Sequence, residues 1–252
     1  MLVMQGVIPA AGSGTWLGPF TNTVPKELLP VGDKAVIEHM VEAMKLAGIS
    51  DIAIVCSPRK HGLSDYLDSG RRFGVNLTYV IQDERHGLAD AVLSAEHVID
   101  GSFAVVLGDD FFHPKSFLGD LIFYHLEKGA DATLGVAEVE DVTRHGIIAP
   151  DGDRVMDIVE KPSPEEASSR LGSIGMYVFE PDVFDAIRRT EPGYKDEYQL
   201  TDSVRVMIDE GRKVLYKEID GIHIDVGTPK DLLRANEWYL SDAVLLSEGL
   251  QI

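Results

Sequence analysis

The order in which the apolar pattern changes period constrains this chain most. Leu2–Ile8, Ile52–Cys56, Val75–Ile81 and Phe103–Leu107 are short apolar or alternating runs that read as strands, and helical spacing lies between them. Val36, Ile37, Met40, Val41 and Met44 share a helical face, with Asp33 placed to cap that helix and Gly48 to end it; Leu88–His97 reads as another helix. Strands that alternate with helices are joined by right-handed crossovers into a mostly parallel sheet with helices on its faces. The predicted fold class is α/β: a Rossmann-like, mixed but mostly parallel central sheet flanked by helices. Ligands of such sheets sit outside the carboxyl ends of the strands. The glycine-rich run Ala10–Pro19 and Gly108-Asp109-Asp110 both fall at such ends, and the topology rule brings them to one crevice although about ninety residues separate them.

Beyond Ala130 the pattern loosens. Ala132–Glu138, Gly146–Ala149, Val155–Glu160, Ile174–Phe179, Lys213–Ile219 and His223–Val226 read as strands. Pro181–Arg189, Leu200–Glu210, Pro229–Leu240 and the tail to Leu250 read as helices. No stretch rich in Pro, Gly or Ser marks a linker, so one domain is expected over residues 1–252, with a first part of about 1–130, a second of about 131–230 built on the same sheet, and C-terminal helices over 229–250.

Charge narrows the partners. The formal net charge is −19 and the isoelectric point about 4.7. Such a surface repels nucleic-acid backbones and anionic membranes, so neither is expected as a partner. The same acidity suits a salty cytoplasm as well as an ordinary one. An anionic ligand would need local cations and a divalent metal. The single cysteine, Cys56, lies in an apolar run and reads as a buried thiol in a reducing compartment. Met1–Ala11 is too short to span a bilayer and has no charged leader, so it reads as a first strand and the protein as cytoplasmic.

Gly12 and Gly14 permit torsions closed to other residues and let main-chain N–H groups approach an anion; Thr15 adds a hydroxyl. Taken alone, Gly-Ser-Gly is equally a simple loop. Leu17 stands where the dinucleotide fingerprint needs its third glycine, and the Gly-Lys-Ser/Thr of the Walker loop is absent. The longer run G-S-G-T-W-L-G-P-F-T-N-T-V-P-K-E-L-L-P-V resembles the sugar-1-phosphate nucleotidyltransferases, above all the glucose-1-phosphate thymidylyl- and uridylyltransferases. Further pieces follow in family order: Gln82–Ala91, Leu107–Asp110, His145–Ile148, Val159–Pro162, Gly175–Phe179, Leu200–Asp202 and Ile224–Pro229.

The resemblance implies the nucleotide-diphospho-sugar transferase fold, with nucleotide bound by the first part and sugar by the second. It implies two small-molecule substrates, a nucleoside triphosphate (dTTP or UTP) and a sugar-1-phosphate. The phosphate oxygen of the sugar attacks the α-phosphorus and pyrophosphate leaves, so catalysis is positioning and charge stabilisation. Asp109 and Asp225 match the family's Mg²⁺ positions; on their own, Asp109-Asp110 reads as a turn and Asp225 as a residue leading a helix. Lys26 matches the lysine that meets the triphosphate and Lys161 the one that meets the sugar phosphate, the two catalytic candidates. Ala10, Ala11, Gly12, Ser13, Gly14 and Thr15 form the nucleotide loop, and Gln82 and Gly87 match the pair that reads the pyrimidine edge. Gly146, Glu160, Lys161 and Tyr177 match the sugar pocket.

Departures from the family pattern carry expectations too. Trp16 stands where the family has an arginine, and an indole offers one N–H in place of a guanidinium fork. Arg71, Arg72, Arg85 or Arg144 could replace that cation; the protein could bind nucleotide sugars with weak or no turnover, in a regulatory role; or Trp16 could simply pack the loop. The Gly87-Leu88-Ala89 spelling is closer to the thymidylyl branch, but the prolines usual between Gln82 and Gly87 are absent; His145 replaces a tyrosine and Lys195 an arginine. Longer thymidylyltransferases carry a C-terminal piece that builds a tetramer and a regulatory site, most of which this sequence lacks. The expectation is a smaller homo-oligomer without that control.

Overall fold

In the computed structural model, which describes residues 4–241, strands and helices alternate as the periodicity requires. In chain order they are β1 (Gln5–Pro9), β2 (Pro30–Val31), β3 (Lys34–Ala35), α1 (Val36–Leu46), β4 (Asp51–Cys56), α2 (His61–Leu67), β5 (Asn76–Ile81), α3 (Leu88–Ser94), β6 (Phe103–Val106), β7 (Asp110–His113) and α4 (Phe117–Lys128). The chain continues through β8 (Ala132–Glu138), β9 (Gly146–Asp151), β10 (Arg154–Glu160), β11 (Leu171–Phe179), α5 (Val183–Arg189), α6 (Leu200–Asp209), β12 (Val214–Glu218), β13 (Ile222–Asp225) and α7 (Pro229–Tyr239).

Nine strands form one sheet in the order β5-β4-β1-β6-β11-β8-β12-β10-β9. The pairings β4–β5, β1–β4, β1–β6 and β12–β8 are parallel, and only β11 and β10 run against the others. Successive side chains on a strand point to opposite faces, and both faces are apolar here. Val7 and Val105 point into a core closed by α3, α5 and α6, through Val92, Phe184 and Val204. Ile8 and Val106 point into the opposite core, closed by α1, α2 and α4 through Met40, Leu63 and Leu121. A strand buried on both sides reads as a continuous apolar run, as Phe103–Val106 does.

The edges differ in places from expectation. Asp33 does not cap α1, which begins at Val36 after the short β2–β3 hairpin. Gly32 turns that hairpin at φ 66°, and Asp33 accepts a hydrogen bond from the Tyr239 hydroxyl at 2.7 Å. Gly48 ends α1 as expected: at φ 85° it donates to Lys45 O, and Ile49 donates to Met44 O, which satisfies the last carbonyls. The helix over Leu88–His97 stops at Ser94 and continues as a 3₁₀ turn over Glu96–Val98. The expected tail helix lies outside the described residues after Ser241, as do Leu2 and Val3 of the first strand. No described helix is long and apolar enough to cross a membrane.

Two features of this topology build the site. β1 and β6 are parallel neighbours, so their following loops lie side by side, and Gly108 N–H donates to Pro9 O at 3.1 Å. A side chain at Gly108 would press on the Ile8 side chain and the Pro9 carbonyl, each 3.2 Å from its Cβ. Second, β7 and β13 pair with Asp110 opposite Asp225, and Val226 N–H donates to Asp109 O at 3.0 Å. A small core of Val31, Phe111, Ile224, Val226 and Tyr239 locks this ribbon against α7.

Candidate active site

A cavity of about 720 Å³ opens at the carboxyl ends of β1 and β6. Its walls come from both parts of the chain. Ala11–Trp16, Lys26, Gln82, Arg85, Gly87 and Asp109 line it from the first, and Arg144, Gly146, Glu160, Lys161, Tyr177, Lys195 and Asp225 from the second. Of the residues expected to bind nucleotide, sugar or metal, Ala10 alone lies outside the wall, beneath the loop. Its N–H donates to Val55 O at 2.7 Å and its carbonyl accepts from Lys60 Nζ at 2.8 Å, so both backbone groups are spent on the fold.

The centre of the cavity is a charge cluster. Lys26 donates from Nζ to Asp109 Oδ2. Burial pulls the Lys26 ammonium down, but Asp109, with Glu27 and Asp225 behind it, outweighs burial and holds it above its ordinary value. Burial and the nearby Asp109 carboxylate raise Asp225, against Lys26, His223 and Arg144. Asp110, next in the chain, lies against His223, whose Nε2 is 3.3 Å from its Oδ1. Complete burial pushes Asp110 up to about 7, with His223 opposing the shift. Gly12 lies over Lys26 so closely that an added Cβ would sit 3.4 Å from Nζ. The loop's amides and the lysine therefore address the same space.

The end of the cavity at Gln82 and Gly87 is held by two loops of distant origin. Gln82 is only 3 % exposed, and its amide nitrogen donates to Gly87 O at 3.2 Å and Asp90 Oδ2 at 2.6 Å. Both amide protons are thereby used, and no described residue donates a hydrogen bond to Oε1. Gly87 is a glycine for a reason that its motif does not reveal. It sits at φ 120°, ψ −179°, and a Cβ there would lie 2.7 Å from Tyr198 N and 2.9 Å from Tyr198 C. Tyr198 N–H donates to His86 O at 2.7 Å, and Ala89 N–H donates to Tyr198 O at 3.0 Å. The segment Gly193–Gln199 is thus strapped to the loop around Gly87.

The same strap reaches the opposite end of the cavity. Lys161 Nζ lies 5.2 Å from the centroid of the Tyr194 ring and Lys195 Nζ 5.4 Å from it, so two ammonium groups gather around one aromatic ring. Lys161 also pairs with Glu160 Oε1 at 2.9 Å, and its backbone is left-handed at φ 46°, held by a bond from its N–H to His145 O at 3.0 Å. Thr201 donates to Glu160 Oε2 at 2.9 Å. Tyr177 forms part of the wall while almost fully buried, and its hydroxyl accepts from Ser173 Oγ at 2.9 Å.

Trp16 does not pack the loop: it is 76 % exposed at the cavity mouth. Of the arginines that could replace a lost cation, Arg85 and Arg144 line the cavity, whereas Arg72 stacks on Tyr66 and Phe73 well away from it and Arg71 is not in its wall. Arg144 is anchored to Asp231 at 3.0 Å and lies 3.8 Å from Asp225. Sequence reasoning missed Lys60, Glu27, Thr201, Tyr194 and His223, whose partners come from segments remote in the chain that no local spacing encodes.

A glycine loop, paired aspartates and five lysine or arginine side chains around a cavity at the carboxyl ends of parallel strands define an α/β protein that handles phosphate esters. Comparison with known proteins gives the family. Residues 5–242 match the family described as nucleotidyl transferase, and the chain belongs to it. Over 249 residues it is 35 % identical to the low-salt glycan biosynthesis nucleotidyltransferase Agl11 of Haloferax volcanii, covering 98 % of this chain and 69 % of that protein. It is 34 % identical to the UTP–glucose-1-phosphate uridylyltransferase AglF of the same organism, over 90 % of this chain and 93 % of that one. A UDP-glucose pyrophosphorylase solved with UDP-glucose superposes with a TM-score of 0.87 at 31 % identity, covering 94 % of this chain and 98 % of the other. The fold is accordingly the nucleotide-diphospho-sugar transferase fold, and the protein is a nucleotidyltransferase.

Proposed function

We propose that the protein joins glucose-1-phosphate to UTP, releasing pyrophosphate and forming UDP-glucose. The convergence of Asp109, Asp225 and Lys26 beneath the glycine loop carries this reading. The resemblance to named uridylyltransferases supports glucose-1-phosphate and UTP as the pair. Gln82 supports a uracil or thymine base: with its amide protons engaged, Oε1 is left to accept the N–H of an imide, which cytosine lacks. The Gly87-Leu88-Ala89 spelling favours dTTP as the second reading.

Two carboxylates side by side are the hard oxygen donors that Mg²⁺ takes while keeping water and phosphate in its remaining positions. Asp109 and Asp225 fit it: the Asp109 carboxylate is near enough to raise Asp225, and Lys26 offsets one of their two charges. Bound Mg²⁺ would supply positive charge to the phosphate oxygens.

The chain's own residues do the rest. The amides of Ala11–Thr15 and the Lys26 ammonium bind the triphosphate. Lys161 and Lys195, presented by Tyr194, hold the sugar phosphate, and Glu160, fixed by Thr201, accepts hydrogen bonds from sugar hydroxyls. The sugar phosphate oxygen forms a bond to the α-phosphorus as the bond to the β-phosphate oxygen breaks, and pyrophosphate leaves with that electron pair. No proton must move between carbon or nitrogen atoms, so orientation and charge are the whole of the catalysis. The test is pyrophosphate release from glucose-1-phosphate and Mg²⁺ with UTP, dTTP, CTP, ATP and GTP in turn. Release is expected with UTP or dTTP above all others; release with neither pyrimidine triphosphate ends the proposal.

A further inference from the structure

Beneath the glycine loop lies a buried ion pair that the reaction does not call for. Glu27 follows Lys26 in the chain and is wholly inaccessible, and Lys60 is 8 % exposed. Lys60 Nζ donates to Glu27 Oε1 at 2.6 Å, to Oε2 at 2.7 Å and to Ala10 O at 2.8 Å. An ammonium has three protons, so this lysine is saturated. Its three acceptors come from two segments, the first residue of the glycine loop and the 3₁₀ turn that carries Lys26. Lys60 itself is the N-terminal flank of α2, after β4. One ammonium thereby ties three stretches of chain at the floor of the anion site.

Stability does not explain such a pair. Desolvating two charges costs so much that a well-packed apolar pair in its place is often neutral or stabilising, whereas removing one partner strands a buried charge. We infer that Lys60 and Glu27 are positioning residues that fix the glycine loop relative to Lys26 and keep the floor of the triphosphate site electrically neutral. The inference rests on the reading of that loop as the triphosphate site. A second consequence follows from the geometry. Without Lys60, the Glu27 carboxylate would stand bare behind a site for anions, so losing the lysine alone should harm triphosphate binding more than losing both groups.

The variants are Lys60→Met and the double variant Glu27→Leu with Lys60→Met, compared with wild type in steady-state kinetics, thermal unfolding and hydrogen exchange of the ligand-free amides of residues 11–15. Lys60→Met is expected to raise KM for UTP at least tenfold while leaving KM for glucose-1-phosphate within twofold. The double variant is expected to melt no lower than wild type, yet to exchange its loop amides at least fivefold faster and keep KM for UTP at least threefold raised. This combination separates positioning from folding, and the double variant decides the matter if Lys60→Met does not fold. Wild-type loop exchange in a folded double variant would overturn the inference, as would wild-type UTP kinetics. If wild type neither binds UTP nor releases pyrophosphate, the functional reading fails, and the exchange rates still report on the tie.

Discussion

Replacing Gly87 by alanine tests how the two halves of the cavity are joined. The glycine occupies φ 120°, ψ −179°, a region essentially reserved for glycine that costs an alanine on the order of 1–3 kcal/mol. Its Cβ would also lie within 2.7 Å of Tyr198 N and 2.9 Å of Tyr198 C. Backbone cannot swing aside as a flexible side chain can. Relief requires the 193–199 segment to lift, breaking the bonds from Tyr198 N–H to His86 O and from Ala89 N–H to Tyr198 O, each worth about 0.5–1.5 kcal/mol. The expected loss of stability is roughly 2–6 kcal/mol, strain and lost bonds together. Urea unfolding measures it. The same lift would move Tyr194 and Lys195, so KM for the sugar phosphate should rise together with KM for the nucleotide, although position 87 lies at the Gln82 end of the cavity. A Gly87→Ala protein with wild-type unfolding and an unchanged sugar-phosphate KM would refute the strap.

Gly12→Ala is the contrasting case: the added Cβ meets only Lys26 Nζ and Cε, at 3.4 and 3.5 Å, so unfolding should shift by less than about 0.5 kcal/mol while triphosphate KM rises if phosphate comes up against that backbone. Trp16→Ala should also leave stability within about 0.5 kcal/mol, since the ring is exposed; a larger loss in thermal or urea unfolding would show packing that the fold does not display. His39, inaccessible between Phe111 and Tyr239 with Nε2 on Val31 O, has its pKa lowered chiefly by burial. The unfolded chain therefore binds a proton near pH 6.5 that the native state refuses. Stability from this group is present above that pH and is lost as pH falls below it, so His39→Gln should flatten the acid limb of a stability–pH curve measured between pH 7.5 and 5.

The large architecture was legible because its strands are short apolar runs and its helices carry a separate period. Phe103–Leu107 and Ile52–Cys56 admit few other readings. The spacing of Phe117, Leu118, Leu121, Ile122 and His125 fits α4 equally well. α2 shows only Leu63 and Leu67 to the core, too little for a periodic signal. The two-residue strands β2 and β3 lie below any period, and that hairpin is what takes Asp33 away from its expected cap. Asp109 and Asp225 could be put forward as partners because each sits in a recognisable motif, but their meeting depends on the β7–β13 ribbon. Gly87 shows the limit most plainly: its motif points to the base, whereas its torsion answers to Tyr198, a contact between segments over a hundred positions apart that only the folded chain brings together. Lys60 and Glu27 were invisible for the same reason.

The central claim is that Asp109 and Asp225 together hold a divalent cation beside the nucleotide. Mn²⁺, whose paramagnetism reports its own binding, can be titrated into the protein with UTP present and followed by electron spin resonance, for wild type, Asp109→Asn and Asp225→Asn. One protein-dependent site should be seen in wild type and weaken at least tenfold in each variant, with folding intact. Equal Mn²⁺ binding by all three proteins would contradict the claim.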